Sequence, residues 1–172
     1  MKLNVPLIRQ PKDSVDCGIA GVSMLLAYYG IKKRFSDIKK EISVDKTGTY
    51  APQLGSYLIR QGFKVEIITL HPKLFTLKDK GMSQDKVLTR LKGLQKNTKN
   101  SQDKKVLNYF IEFMKAGGKI KVKIPDINDI KKEIRSKSPL GAVMATNFLN
   151  AADKPRFNFH FNIITGFDTY YI

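Results

Sequence analysis

Residues 17–29, CGIAGVSMLLAYY, are apolar or small at almost every position and run into Gly30. The segment reads as a helix, and Gly30 supplies its stop. Apolar residues lie nearly all round it, which suits a central, buried helix better than a surface one. The rest of the fold has to be built around this helix.

Upstream, residues 3–9 (LNVPLIR) read as extended and residues 10–16 (QPKDSVD) as a polar turn. Downstream, residues 36–42 predict a short helix with Ser36 as N-cap. A loop begins at Gly48-Thr49, residues 50–61 predict a third helix ended by Gly62, and KVEIITL (64–70) predicts a strand. Helical spacing returns over residues 83–95 and 102–116, around Val87, Leu91, Leu107, Phe110 and Ile111. The polar run KNTKNSQ between them is expected to be mobile. KIKVKI (119–124) alternates lysine with apolar residues, as a strand with one exposed face does. Residues 126–136 predict an amphipathic helix, GAVMAT (141–146) a buried strand, and residues 150–158 a loop. FHFNIITGF (159–167) predicts a strand broken at Gly166, and TYYI (169–172) the start of one more. Helices come first and strands last, so the expected class is α+β. One domain over residues 1–172 is expected, with a lysine-rich helical insertion at about 72–118.

Hydrophobic residues make up 42% of the 172, enough for a core. No stretch approaches the ~20 apolar residues of a membrane span, and the N-terminus does not read as a signal peptide. A single cysteine excludes an internal disulfide. These features make a cytoplasmic location the expectation. Net charge is +16, and residues 72–123 alone carry 14 Lys and Arg against 4 Asp and Glu. The excess favours acidic partners, although a solvated lysine face is the simpler explanation. Nucleic acid is the weaker choice of partner, because Arg90 is the only arginine there and no regular aromatics could stack bases.

A lone cysteine is often a small core hydrophobe. Cys17, however, opens the apolar helix, where unpaired backbone N–H groups and the helix dipole stabilise a thiolate. Thiolate is the reactive form. Gly18 leaves room for a substrate carbonyl. Gln10, seven residues upstream, carries an amide that could donate to a tetrahedral oxyanion beside the Cys17 N–H.

QPKDSVDCGIAGVSMLLAYYG resembles the active-site segment of the bacteriocin-processing, double-glycine peptidases and their standalone relatives, which are papain-like enzymes. Gln10, Asp16, Cys17, Gly18, Ala20, Met24, Tyr29 and Gly30 follow the family's order. The family's Gln usually stands six residues before the Cys, whereas Gln10 stands seven before. His160-Phe161-Asn162-Ile163-Ile164-Thr165-Gly166-Phe167-Asp168 resembles the family's histidine segment. The resemblance covers residues 1–70 and 119–172, and residues 72–118 have no counterpart in it. It implies a papain-like fold, with the cysteine-bearing helix packed on an antiparallel sheet. It implies Cys17 as nucleophile, His160 as general base and Gln10 as oxyanion donor, with no cofactor and no metal. His71, between a strand and the insertion, reads as a structural loop residue.

A third group usually orients the imidazole. The resemblance puts it about 16 residues after the His, near position 176 and so past Ile172. Asp168 is not expected to replace it. The substrate implied is a polypeptide, acidic or amphipathic, cut after Gly-Gly in a leader. A non-catalytic peptide-binding module on the same fold is the alternative.

Overall fold

A computed structural model describes residues 1–145 and 159–169. The chain forms two compact units, Met1–Thr49 with Asp126–Ile172, and Tyr50–Pro125. Helices and small sheets mix in an α+β arrangement, as the element order predicts.

In the first unit, α1 (Cys17–Tyr28) is buried on all sides, with Ile19, Val22 and Leu26 shielded from solvent. It ends in a Schellman motif. Gly30 takes φ +77°, its N–H donates to Ala27 O, and the Ile31 N–H donates to Leu26 O. Helix α1 packs on α2 (Phe35–Glu41) and on strand β4 (Phe159–Ile164). Strand β3 (Leu140–Ala145) pairs antiparallel with β4, setting Leu140 opposite Ile164 and Met144 opposite His160. The cysteine-bearing helix thus lies on an antiparallel pair. The N-terminus continues this edge: the Leu3 N–H donates to Thr165 O, and the Phe167 N–H to Met1 O. Helix α6 (Ile127–Arg135) is capped by Asp126, whose Oδ1 accepts from the Asn128 and Asp129 N–H groups.

The second unit runs α3 (Ala51–Arg60), β1 (Glu66–Thr69), a 3-10 turn (Leu77–Asp79), α4 (Gln84–Asn97), α5 (Ser101–Lys115) and β2 (Lys119–Val122). Strands β1 and β2 pair in parallel, with Glu66 opposite Lys119 and Thr69 opposite Val122. The connection through α4 and α5 makes that direction possible, since a parallel pair needs a long crossover. The core gathers Phe75, Leu91, Phe110, Phe113 and Ile120. Phe113 is wedged between two glycines. A methyl group on Gly55 would meet its ring at 2.7 Å, and one on Gly118 would overlap it.

Four sequence expectations change. Arg34, not Ser36, stands at the α2 N-cap, because the chain is already helical at Phe35 and Arg34 is held by Asp37, with Nε 2.8 Å from Oδ2. The run 96–102 is not all linker: α4 continues to Asn97, and Asn100 caps α5 by accepting from the Asp103 N–H. Strand β3 is not buried throughout, since Val143, opposite Phe161 in the pair, stays 56% exposed. The chain also carries a parallel pair that alternation alone does not reveal. The loop expected at 150–158 and most of the strand expected at 169–172 fall outside the described residues.

Candidate active site

Cys17 is the first residue of α1 and is half-buried. In an α-helix the first N–H groups have no intrahelical acceptor, so the Cys17 amide is available at the helix start. Asp16 occupies the N-cap position without capping. Its φ −90°, ψ 18° differ from the extended geometry a capping side chain uses, and no side-chain cap hydrogen bond forms. Its side chain turns to α2, where Lys39 Nζ donates to Oδ2 at 2.6 Å. Asp16 is 1% exposed, and its Oδ1 has no hydrogen-bond partner among the described residues. This ion pair ties the residue before Cys17 to α2, and sequence reasoning missed Lys39 because nothing local links positions 23 apart.

A tight turn lies between Gln10 and Asp16. The Ser14 N–H donates to Pro11 O at 3.2 Å, and Asp13 adopts φ +58° at the third turn position. Gln10 Nε2 donates to Ser14 O at 3.0 Å, so the amide closes this turn with one N–H and keeps the other. That bond also fixes which end of the carboxamide is nitrogen. Gln10 Oε1 is buried with no partner among the described residues.

His160 is the second residue of β4 and is half-buried. Its carbonyl accepts from Asn162 Nδ2 at 3.2 Å. Next to it, Phe161 packs directly on α1: a methyl group on Gly21 would lie 2.7 Å from the Phe161 ring and 3.3 Å from Ile163 Cδ1. Cys17 lies one helical turn before Gly21, about 6 Å along the axis. Helix α1, which Cys17 opens, and strand β4, which bears His160, are therefore packed together, with Phe161 and Ile163 on the face that meets α1 and His160 alternating to the other face. Asp168 follows β4 in an exposed segment. The orienting acid expected past Ile172 lies outside the described residues.

The second histidine, His71, sits after β1, and its Nδ1 accepts from the Lys73 backbone N–H at 3.3 Å. Burial, with Lys73 adding to it, holds its imidazole below the usual range for histidine. Among the described residues, no group of three or more His, Cys, Asp or Glu could hold a metal ion. No described helix is long and apolar enough to cross a membrane.

No curated protein and no solved structure matches the chain. The model of the Peptidase C39 family matches residues 4–88. This stretch contains Gln10, the turn, Asp16, Cys17 and all of α1 to α3. Over these residues, just under half of the chain, the sequence is similar to the Peptidase C39 family, which supports a C39-like cysteine peptidase.

Proposed function

We propose that this chain hydrolyses peptide bonds with Cys17 as nucleophile, His160 as general base and Gln10 as oxyanion donor. The observation that carries the reading is the Peptidase C39 match over the segment of Gln10, Asp16 and Cys17, and the packing of α1 on β4, the strand that bears His160, supports it. Cys-His catalysis needs the two groups adjacent in space, however far apart in sequence.

In this mechanism His160 takes the thiol proton, and the Cys17 thiolate attacks the scissile carbonyl carbon. The carbonyl oxygen becomes an oxyanion and accepts hydrogen bonds from the Cys17 backbone N–H and the remaining Gln10 Nε2–H. The tetrahedral intermediate collapses, His160 protonates the leaving amine, and a thioester remains on Cys17. Water then attacks the thioester while His160 accepts its proton. A second collapse releases the new carboxylate and restores the thiol. Cleavage after Gly-Gly in an amphipathic leader is the substrate that the family resemblance favours.

Alkylation by iodoacetamide at neutral pH tests the pair. Rapid labelling of Cys17 that slows about tenfold or more in His160→Ala is expected, because the thiolate then loses its counter-ion. Labelling as slow as that of a free thiol, and indifferent to His160, would refute the enzymatic reading. Hydrolysis of a Gly-Gly leader peptide, absent in Cys17→Ala, tests the specificity separately.

A further inference from the structure

The two strands of the Tyr50–Pro125 unit have unlike outer edges. In a parallel pair, alternate residues of each strand turn their backbone groups to the partner. The Lys119 N–H donates to Val65 O at 3.1 Å and the Lys123 N–H to Thr69 O at 3.2 Å, so the odd-numbered residues form this ladder. Ile120 and Val122 therefore face outward from β2, and that edge is covered. The Gln84 carboxamide donates to Ile120 O at 2.8 Å and accepts from the Ile120 N–H at 2.9 Å. The Gly81 N–H donates to Val122 O at 3.3 Å. By the same alternation Glu66 and Ile68 face outward from β1. Among the described residues, no hydrogen bond closes that side.

An open edge invites a further strand, and folded proteins usually blunt it. Here one edge is closed by a side chain that mimics a strand, while the other is left available. The chemistry around it selects a partner. The register places Glu66 and Ile68 beside Lys119 and Lys121 on the same face, and both lysines are exposed, as is Lys64 at the approach to β1. Glu66 is offset by Lys119 directly opposite. The unit carries 16 Lys and Arg against 5 Asp and Glu. Three of those acids are already ion-paired: Asp79 with Arg90, Asp103 with Lys73, and Glu112 with Lys115.

We infer that the outer edge of β1 is a docking strand for an extended, acidic segment of the polypeptide substrate. The segment adds as a third strand, exchanging backbone hydrogen bonds with Glu66 and Ile68. Its carboxylates lie about 10 Å from β2, within reach of extended Lys119 and Lys121 side chains. That the segment belongs to a substrate rests on the peptidase reading above; the docking itself does not.

The test is fluorescence polarisation with a labelled ten-residue peptide of alternating glutamate and valine. It is titrated with the full chain carrying Cys17→Ala, so that nothing is cut. Saturable binding that weakens as salt rises is expected. Ile68→Pro should weaken it about tenfold, because proline removes the outward N–H and leaves the β1–β2 ladder unchanged. Since a proline could unsettle the strand, a second arm leaves the protein alone. The same peptide with alternate amides N-methylated, made in both registers, should bind about tenfold more weakly in one register. Equal binding by the methylated and plain peptides would show attraction by charge alone and overturn the proposal. So would a wild-type dimer that Ile68→Pro abolishes and the peptide cannot displace, which would make the edge a contact between copies. Cys17 alkylation is read independently of β1, so slow alkylation with intact peptide binding would count against the peptidase reading and support the docking strand.

Discussion

Asp16 immediately precedes the candidate nucleophile and turns away from the helix it would be expected to cap. Its carboxylate is buried and meets the half-exposed ammonium of Lys39. A buried carboxylate that loses its cation keeps the desolvation cost without the compensating attraction. Lys39→Met should therefore destabilise the fold by about 1–3 kcal/mol, below the cost of breaking a fully buried pair because water reaches Lys39. Adding Asp16→Leu to Lys39→Met should recover part of that loss, since it removes the stranded charge. Urea midpoints of the two variants read both effects, and a neutral Lys39→Met would show that solvent screens the carboxylate. At this scale the sequence disclosed residue types better than their partners. Cys17 and Gly30 were legible because a helix start and stop are local features. The grip of Lys39 on Asp16 and of Gln10 on Ser14 O was not, because one spans 23 positions and the other ends on a backbone atom. Gly21 carried no visible signal either. Its importance lies in the Phe161 ring that fills the missing side chain's place.

Helix ends show how far local pattern reaches. Helix α1 stops at a glycine in the left-handed region, which the sequence announces. Helix α6 ends in the same Schellman geometry: the Lys137 N–H donates to Ile134 O and the Ser138 N–H to Glu133 O. There the left-handed position is taken by Lys137, at φ +59°. A side chain at such a φ costs on the order of 1 kcal/mol relative to glycine. The carbonyl of Lys137 also accepts from the Tyr28 hydroxyl at 2.9 Å, a bond that a glycine backbone keeps. Lys137→Gly should therefore stabilise the protein by about 0.5–1 kcal/mol, the αL relief outweighing the greater freedom of glycine in the unfolded chain. An unchanged or lower urea midpoint would show that the Lys137 side chain makes up the difference. Periodicity located the elements well but set their limits poorly. The helix read over residues 83–95 extends to Asn97, and the polar run after it shrinks to a capped turn. Composition cannot distinguish a polar helix end from a polar loop. Burial of β3 was misread for a related reason: an apolar run signals a strand, but how many neighbours cover it is a tertiary fact.

Across the molecule, the excess positive charge divides unevenly, with net +11 in Tyr50–Pro125 and +5 in the remainder. The lysine-rich span was evident from composition. Its assembly with α3 and β1 into one compact unit was not, because that depends on Phe113 meeting Gly55, far away in sequence. The same unit contains His71, and its titration gives that unit a pH dependence. Burial, reinforced by Lys73 and only partly opposed by Asp103, holds the His71 imidazole below 6.5 in the folded chain. Its Nδ1 accepts the Lys73 N–H, a bond that only the unprotonated nitrogen can make. The unfolded chain therefore binds this proton more readily than the folded one. Stability then rises with pH across the interval between the folded and unfolded values. The contribution is complete above 6.5 and is lost as pH falls below it. Urea midpoints of the wild type should decline between pH 7.5 and 5.5. In His71→Asn, whose side-chain oxygen can still accept from the Lys73 N–H, the decline should be shallower over the same interval. Parallel declines in the two proteins would assign the acid sensitivity to other groups and leave His71 as a loop residue without a role in stability.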